Sequence, residues 1–159
     1  MKEKIIQAFA NLGFTLEHIP GFGQAFQHEQ YSYFWLDNDD DDEHFLNISL
    51  PWVVECNGVD ELRIYKFVEN VNATLKYVKA FISEDHVCLF YERKLYEGDN
   101  LEQIITHMIH ALALAHDEIR RDLIKRLDAD DESDDLDDDD DSELFSFDDD
   151  LDLDFDLDC

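Results

Sequence analysis

Apolar residues recur along this chain in blocks whose spacing is by turns helical and extended. Ile5, Ile6, Phe9 and Leu12 fall at three- and four-residue intervals, which places them on one helix face, and Gly13 supplies a stop. Residues 14–19 predict a short strand before Pro20-Gly21-Phe22-Gly23 breaks the chain. From Gln24 the residues are strand formers with partial alternation: Ala25, Phe26, Tyr31, Tyr33, Phe34 and Trp35. Phe45, Ile48 and Leu50, leading into Pro51-Trp52-Val53-Val54, predict the next strand, antiparallel to the first across an acidic loop. Asp60 is placed to cap a helix whose apolar face is Leu62, Ile64, Tyr65, Val68 and Val71, ending at Asn70-Val71-Asn72. Residues 74–83 and 86–95 predict a hairpin turning at Glu84-Asp85. Asp99 or Asn100 then caps a long helix. Leu101, Ile104, Ile105, Met108, Leu112, Ala115, Ile119, Leu123 and Leu127 hold its spacing, with Arg120, Arg121, Lys125 and Arg126 placed to complement the dipole at its end.

The predicted order is helix, two or three strands, helix, two strands, helix. Adjacent antiparallel strands joined by short turns give an α+β fold, a single antiparallel sheet with helices on one face. Strict β-α-β alternation is missing, which excludes a Rossmann-type sheet. The first and last helices lie outside the strand block and are expected to share a face.

Charge divides the chain in a way the pattern does not. The 159 residues carry 12 Lys+Arg against 41 Asp+Glu, a formal net charge of −29. Residues 128–159 hold 19 of the acids and no Lys or Arg, and six more sit at Asp37, Asp39, Asp40, Asp41, Asp42 and Glu43. Residues 1–127 total −10, so without the short run they are close to an ordinary domain. We therefore expect one domain over 1–127 and an acidic low-complexity tail, mostly disordered, over 128–159. Such charge opposes direct nucleic-acid contact, which needs clustered Lys and Arg on phosphates, and opposes docking on anionic membranes. The first residues carry no apolar signal region, no stretch is long and apolar enough for a membrane helix, and Cys56, Cys88 and Cys159 show no paired spacing. The expectation is a cytoplasmic protein with reduced thiols.

Within the tail, residues 128–141 hold almost nothing apolar. Leu144, Phe145 and Phe147 follow, and then Leu151, Leu153, Phe155 and Leu157 alternate with Asp152, Asp154, Asp156 and Asp158. Period two puts the four apolar residues on one face and the aspartates on the other. That pattern suits a strand added to a sheet edge, in this chain or a partner, or an acidic-hydrophobic motif bound in a basic, apolar groove. Solvation alone needs no large apolar residues.

Candidate chemistry is thin. The run 37–43 suggests calcium, but an EF-hand loop needs glycine at position 6 and a bidentate Glu at position 12, where this chain has Asp42 and Ile48. It reads as a solvated loop. His107 and His110 are helix-surface neighbours, but neither His116 nor Asp117 is spaced to complete a metal site. Cys88 sits in the apolar run Val87-Cys88-Leu89-Phe90 with no base beside it, and reads as a buried structural thiol. Trp35, Trp52, Phe34 and Tyr33 read as core or as a binding groove, with Tyr31 and Tyr33 on one face and Phe34 on the other. No cofactor motif and no metal site is expected.

Residues 60–72, 74–83 and 86–95, with the helix from Asn100, resemble the YbjN-like family, whose members are described as bacterial sensory transduction regulators. The matching features are the helix ending at Asn70-Val71-Asn72, the turn at Glu84-Asp85 and the long amphipathic last helix. The order of elements matches over 1–127, and the tail lies outside it. That family's fold is similar to the type III secretion chaperones, an α-β-β-β-α-β-β-α arrangement, which the resemblance implies for this chain. The resemblance implies a non-enzymatic protein that binds other proteins, as a homodimer in the manner of such chaperones, and brings no active-site residues with it. The expected function is a chaperone-like or regulatory binding module whose tail engages a basic protein through Leu151, Leu153, Phe155 and Leu157. The alternative is a polyanion mimic that occupies a basic protein in place of nucleic acid. An enzyme built on His107, His110 or Cys88 is the third reading.

Overall fold

The computed structural model describes residues 1–36 and 44–130, with side chains through residue 121. Helix α1 (Lys2–Asn11) buries Ile5, Ala8 and Phe9 and turns Ile6 outward. It ends where Gly13 takes φ +84°: the Gly13 amide donates to the Ala10 carbonyl and the Phe14 amide to that of Phe9. These paired bonds satisfy the last carbonyls of the helix, and the accompanying apolar contact is Phe14 edge-on to Phe9 at 6.0 Å.

Six strands follow in one antiparallel sheet: β1 (Glu17–Ile19), β2 (Gly23–His28), β3 (Tyr31–Leu36), β4 (Phe45–Glu55), β5 (Val78–Ser83) and β6 (His86–Lys94), in the order β1-β2-β3-β4-β6-β5. The single strand expected from Gln24 to Trp35 is two, giving four strands before the second helix rather than two or three. The two-residue turn Glu29-Gln30 divides them, with Glu29 at φ +53°. The turn lacks the Asn or Gly that signals such hairpins, so the pairing across the sheet imposes it. The turn at Glu84-Asp85 forms as expected, with Glu84 at φ +53°.

Helix α2 (Glu61–Thr74) is capped by Asp60, whose carboxylate accepts from the Arg63 amide at 3.1 Å. Its inward residues are Phe67 and Val71, while Leu62 and Tyr65 are 61% and 54% exposed. The expected face is thus rotated, because α2 packs against β5 at the sheet's edge and needs a narrow stripe. Helix α3 (Leu101–Asp130) is capped by Asn100, which accepts from the Gln103 amide, and buries Leu101, Ile104, Ile105, Met108, Ile109, Leu112, Ala115 and Ile119. It runs three residues beyond the expected end, so Arg120 and Arg121 lie inside the helix and do not serve its C-terminus. Leu123 and Leu127 lie outside the described side chains.

All three helices contribute to a single core with one face of the sheet. Phe26, Tyr33, Trp35, Leu46, Ile48, Leu50, Val78, Ala80, Val87, Leu89 and Tyr91 point into it, every second residue along their strands. Phe9 sits at its centre, stacked on Trp35 at 5.6 Å and tilted against Phe26 at 4.9 Å. The expected α+β fold, with helices on one face of one antiparallel sheet, is what the chain forms.

Candidate interaction surface

Strand alternation gives the sheet a second, unlike face that no helix among the described residues covers. Phe34 of β3 pairs with Ser49 of β4, and Ser49 pairs with Phe90 of β6, so these three stand in one row. Phe81 of β5 pairs with Cys88 of β6 in the next row. Between the pairs Leu50–Leu89 and Val54–Val87, β4 spends three residues where β6 spends one. This bulge lifts Trp52 onto the open face with φ +54°, a backbone state that bulky residues seldom adopt.

The result is two aromatic banks. Phe22 and Phe34 lie 6.2 Å apart and Trp52 stands edge-on to Phe34 at 6.3 Å. Across from them Phe81 and Phe90 meet edge to face at 5.5 Å. Small residues lie between: Ser49, whose hydroxyl donates to the Leu89 carbonyl at 3.0 Å, and Cys88, whose thiol pKa is raised by burial. Trp52 is 64% exposed, Phe22 63% and Phe81 37%, with Phe34 and Phe90 half-buried. Together they present on the order of 400 Å² of aromatic surface, a patch of the size that on a monomer is often functional.

The charge around this face is mainly negative. Glu17, Glu55 and Glu92 alternate onto it, and Glu29, Glu84 and Asp85 occupy the two turns at the Trp52 end of the sheet. The lysines that alternate onto it are turned back to their own chain. Lys79 Nζ donates to the Asn72 carbonyl at 2.9 Å, and Lys94 Nζ lies 6.0 Å from the Tyr96 ring centre.

The sequence-predicted groups are dispersed. Tyr33 and Trp35 are core residues at 0% and 4% exposure, while Phe34 and Trp52 face out, so the four never share a groove. Phe22, Phe81 and Phe90 complete the open face and had not been singled out; the period of two in residues 78–83 and 86–94 was the signal for the last two. His107 packs edge-on to Tyr77 and Tyr91 at 5.4 and 5.7 Å, and burial lowers its pKa, with Arg93 and His110 adding to the effect. His110 is exposed and borders a separate recess with Leu12, Phe14 and His28. His116 lies against Tyr31 at 4.7 Å, and the Tyr31 hydroxyl donates to Asp117 at 2.6 Å, which lowers the carboxyl pKa and ties β3 to α3. Among the described residues no three His, Cys, Asp or Glu are grouped to hold a metal, and no helix is long and apolar enough to cross a membrane. The acidic run 37–43 and the tail residues Leu151, Leu153, Phe155, Leu157, Asp152, Asp154 and Asp156 lie outside the described residues.

A scan against protein-family models finds no match, and a search of curated proteins finds none either. Solved structures do match. The chain is similar to YbjN of E. coli, a proposed transcription regulator, with a TM-score of 0.54 at 13% identity, over 73% of this chain and 88% of that one. It is equally similar to an uncharacterised protein from Methanothermobacter thermautotrophicus, with a TM-score of 0.57 at 13% identity, over 79% of this chain and 97% of that one. The chain therefore has the YbjN-like fold, and that fold occurs in archaea as well as bacteria.

Proposed function

We propose that this protein is a non-enzymatic regulatory module that acts by binding another protein. The observation that carries this reading is the aromatic face that the described residues leave without a covering layer, in a fold whose other face is packed against three helices. A sheet face bearing Trp52, Phe22 and Phe81 costs solubility and is retained where a partner covers it. The fold's likeness to a proposed regulator is consistent with this role. The Asp-rich tail adds long-range attraction for a basic partner in the cytoplasm, with Leu151, Leu153, Phe155 and Leu157 as apolar anchors and Asp152, Asp154 and Asp156 facing the partner's cations. In the full chain such a partner is retained on a column, and deletion of residues 128–159 weakens retention. An unchanged set of retained proteins sinks the role of the tail.

A second reading, a polyanion mimic, is favoured by the 19 acids of residues 128–159. It requires binding that collapses steeply with salt, whereas retention at about 0.5 M salt, where charges are screened beyond a few ångströms, points to the apolar anchors.

A further inference from the structure

We infer that the uncovered sheet face is the docking site for a cationic, apolar segment of a partner protein, laid face-on across the strands with Trp52 as its anchor. The inference rests on the protein-binding reading above and supplies the surface and the partner's chemistry.

The edges of the sheet decide the mode. At the β5 edge the Asn72 side chain occupies both free groups of Ala80: its Oδ1 accepts from the Ala80 amide at 2.7 Å and its Nδ2 donates to the Ala80 carbonyl at 3.1 Å. The β1 edge offers three residues before Pro20. A guest strand therefore meets an interruption in the middle of β5 and only three residues at β1, which disfavours strand addition by a partner or by this chain's own tail. Contact has to come from side chains on the face.

Trp52 suits an anchor because it is fixed before anything binds. The three-for-one bulge holds its backbone, and the edge-on contact with Phe34 orients the ring, so little freedom is lost on contact. Exposed, rigid tryptophans are the residues that dominate interface energies.

Charge selects the occupant. Glu17, Glu29, Glu55, Glu84, Asp85 and Glu92 lie on or around the face, and its two lysines are engaged elsewhere on the chain. A second copy would bring the same negative surface and a like net charge of −29. The aromatic area is also about half of the roughly 800 Å² per partner that a standard interface buries. A segment in which Arg or Lys alternates with aliphatic residues meets both requirements. Its apolar side chains reach the aromatic banks, its cations reach the acidic border, and an arginine can lie over the Trp52 ring.

The test uses the full chain and a ten-residue peptide of alternating arginine and leucine, titrated by amide NMR at about 0.5 M salt so that attraction to the tail is screened. The expected result is shift changes centred on Phe34, Ser49, Trp52, Phe81 and Phe90, with a blue shift of tryptophan emission. Trp52→Asn, which keeps a residue tolerant of the left-handed backbone, should weaken binding at least tenfold with an unchanged urea midpoint. Phe81→Ser serves as an independent second variant with the same expected direction. An alternating glutamate–leucine peptide should not bind. Shifts confined to residues 131–159 or to β1, equal affinity of Trp52→Asn, equal binding of the glutamate peptide, or self-association through this face in sedimentation would each overturn the inference. Partner retention that depends on residues 128–159 and ignores Trp52→Asn overturns the face assignment alone. Trp52-dependent peptide binding with no protein partner in the cell overturns the protein-binding reading alone.

Discussion

Replacing Asn72 with alanine tests whether one side chain closes the sheet's edge. Asn72 sits near the end of α2 and meets Ala80 in the middle of the outermost strand, donating to its carbonyl at 3.1 Å and accepting from its amide at 2.7 Å. The amide side chain does both through separate atoms, Nδ2 donating and Oδ1 accepting, which matches the one donor and one acceptor the strand presents. Each bond is half-buried and contributes about 1 kcal/mol net, so Asn72→Ala is expected to cost about 2 kcal/mol. With a urea slope of about 1–3 kcal/mol per molar for a small domain, the unfolding midpoint should fall by roughly 1 M. Asn72→Asp keeps the acceptor but sets a carboxylate against the Ala80 carbonyl, and should lose more than half as much. The alanine variant should also associate with rising concentration, because the freed groups of β5 become a template for another strand. A midpoint within about 0.2 M of the wild type, or an aspartate variant as stable as the parent, would refute the edge-closing role.

Two further predictions concern groups inside the fold. The Tyr33 hydroxyl is buried with no hydrogen-bond partner among the described residues, while its ring stacks on Phe26 at 5.3 Å. Tyr33→Phe keeps the stack and removes the stranded hydroxyl, and should raise stability by about 1–2 kcal/mol in urea titration; a loss of stability would show that the hydroxyl is satisfied. His107 has its pKa lowered by burial first and by Arg93 and His110 next, so folding favours its neutral form. The unfolded chain then binds the proton more readily. Stability from this group is complete above the ordinary histidine pKa of about 6.5 and is lost as pH falls from there through the lowered folded value. His107→Gln should remove that part of the fall in urea midpoint between pH 7.5 and pH 5.5, and an identical pH dependence in the two proteins would count against it.

The parts of the fold that were legible from sequence are those where local signals and burial agree. Asp60 and Asn100 cap the helices they were expected to cap or share in capping, since a short polar side chain before an apolar-periodic run has few other uses. The Glu84-Asp85 hairpin was legible because a period of two runs on both sides of it. The Glu29-Gln30 turn was not, because Glu29 reaches its positive φ under the force of strand pairing and not by its own preference. The face of α2 was misjudged for a related reason. Leu62 and Tyr65 match a helical stripe as well as Phe67 does, and only the position of β5 decides which of them is buried.

The sequence alone determined the class of the protein. Its apolar periods dictate helices and strands in an α+β order, and its acids, 19 of them within residues 128–159, concentrate the negative charge at one end of the sequence. Neither depends on which residues meet in space. The tertiary structure alone decided which side of the sheet the helices cover. Alternation says that Phe34 and Tyr33 point opposite ways, but not which of the two sides the helices will cover. That choice is made by long-range packing: the helices gather on the side that carries Tyr33, Trp35, Val78 and Leu89, and among the described residues Trp52 and Phe81 stay exposed on the opposite side. The bulge that presents Trp52 exists only because β4 and β6 pair on both sides of it with unequal numbers of residues.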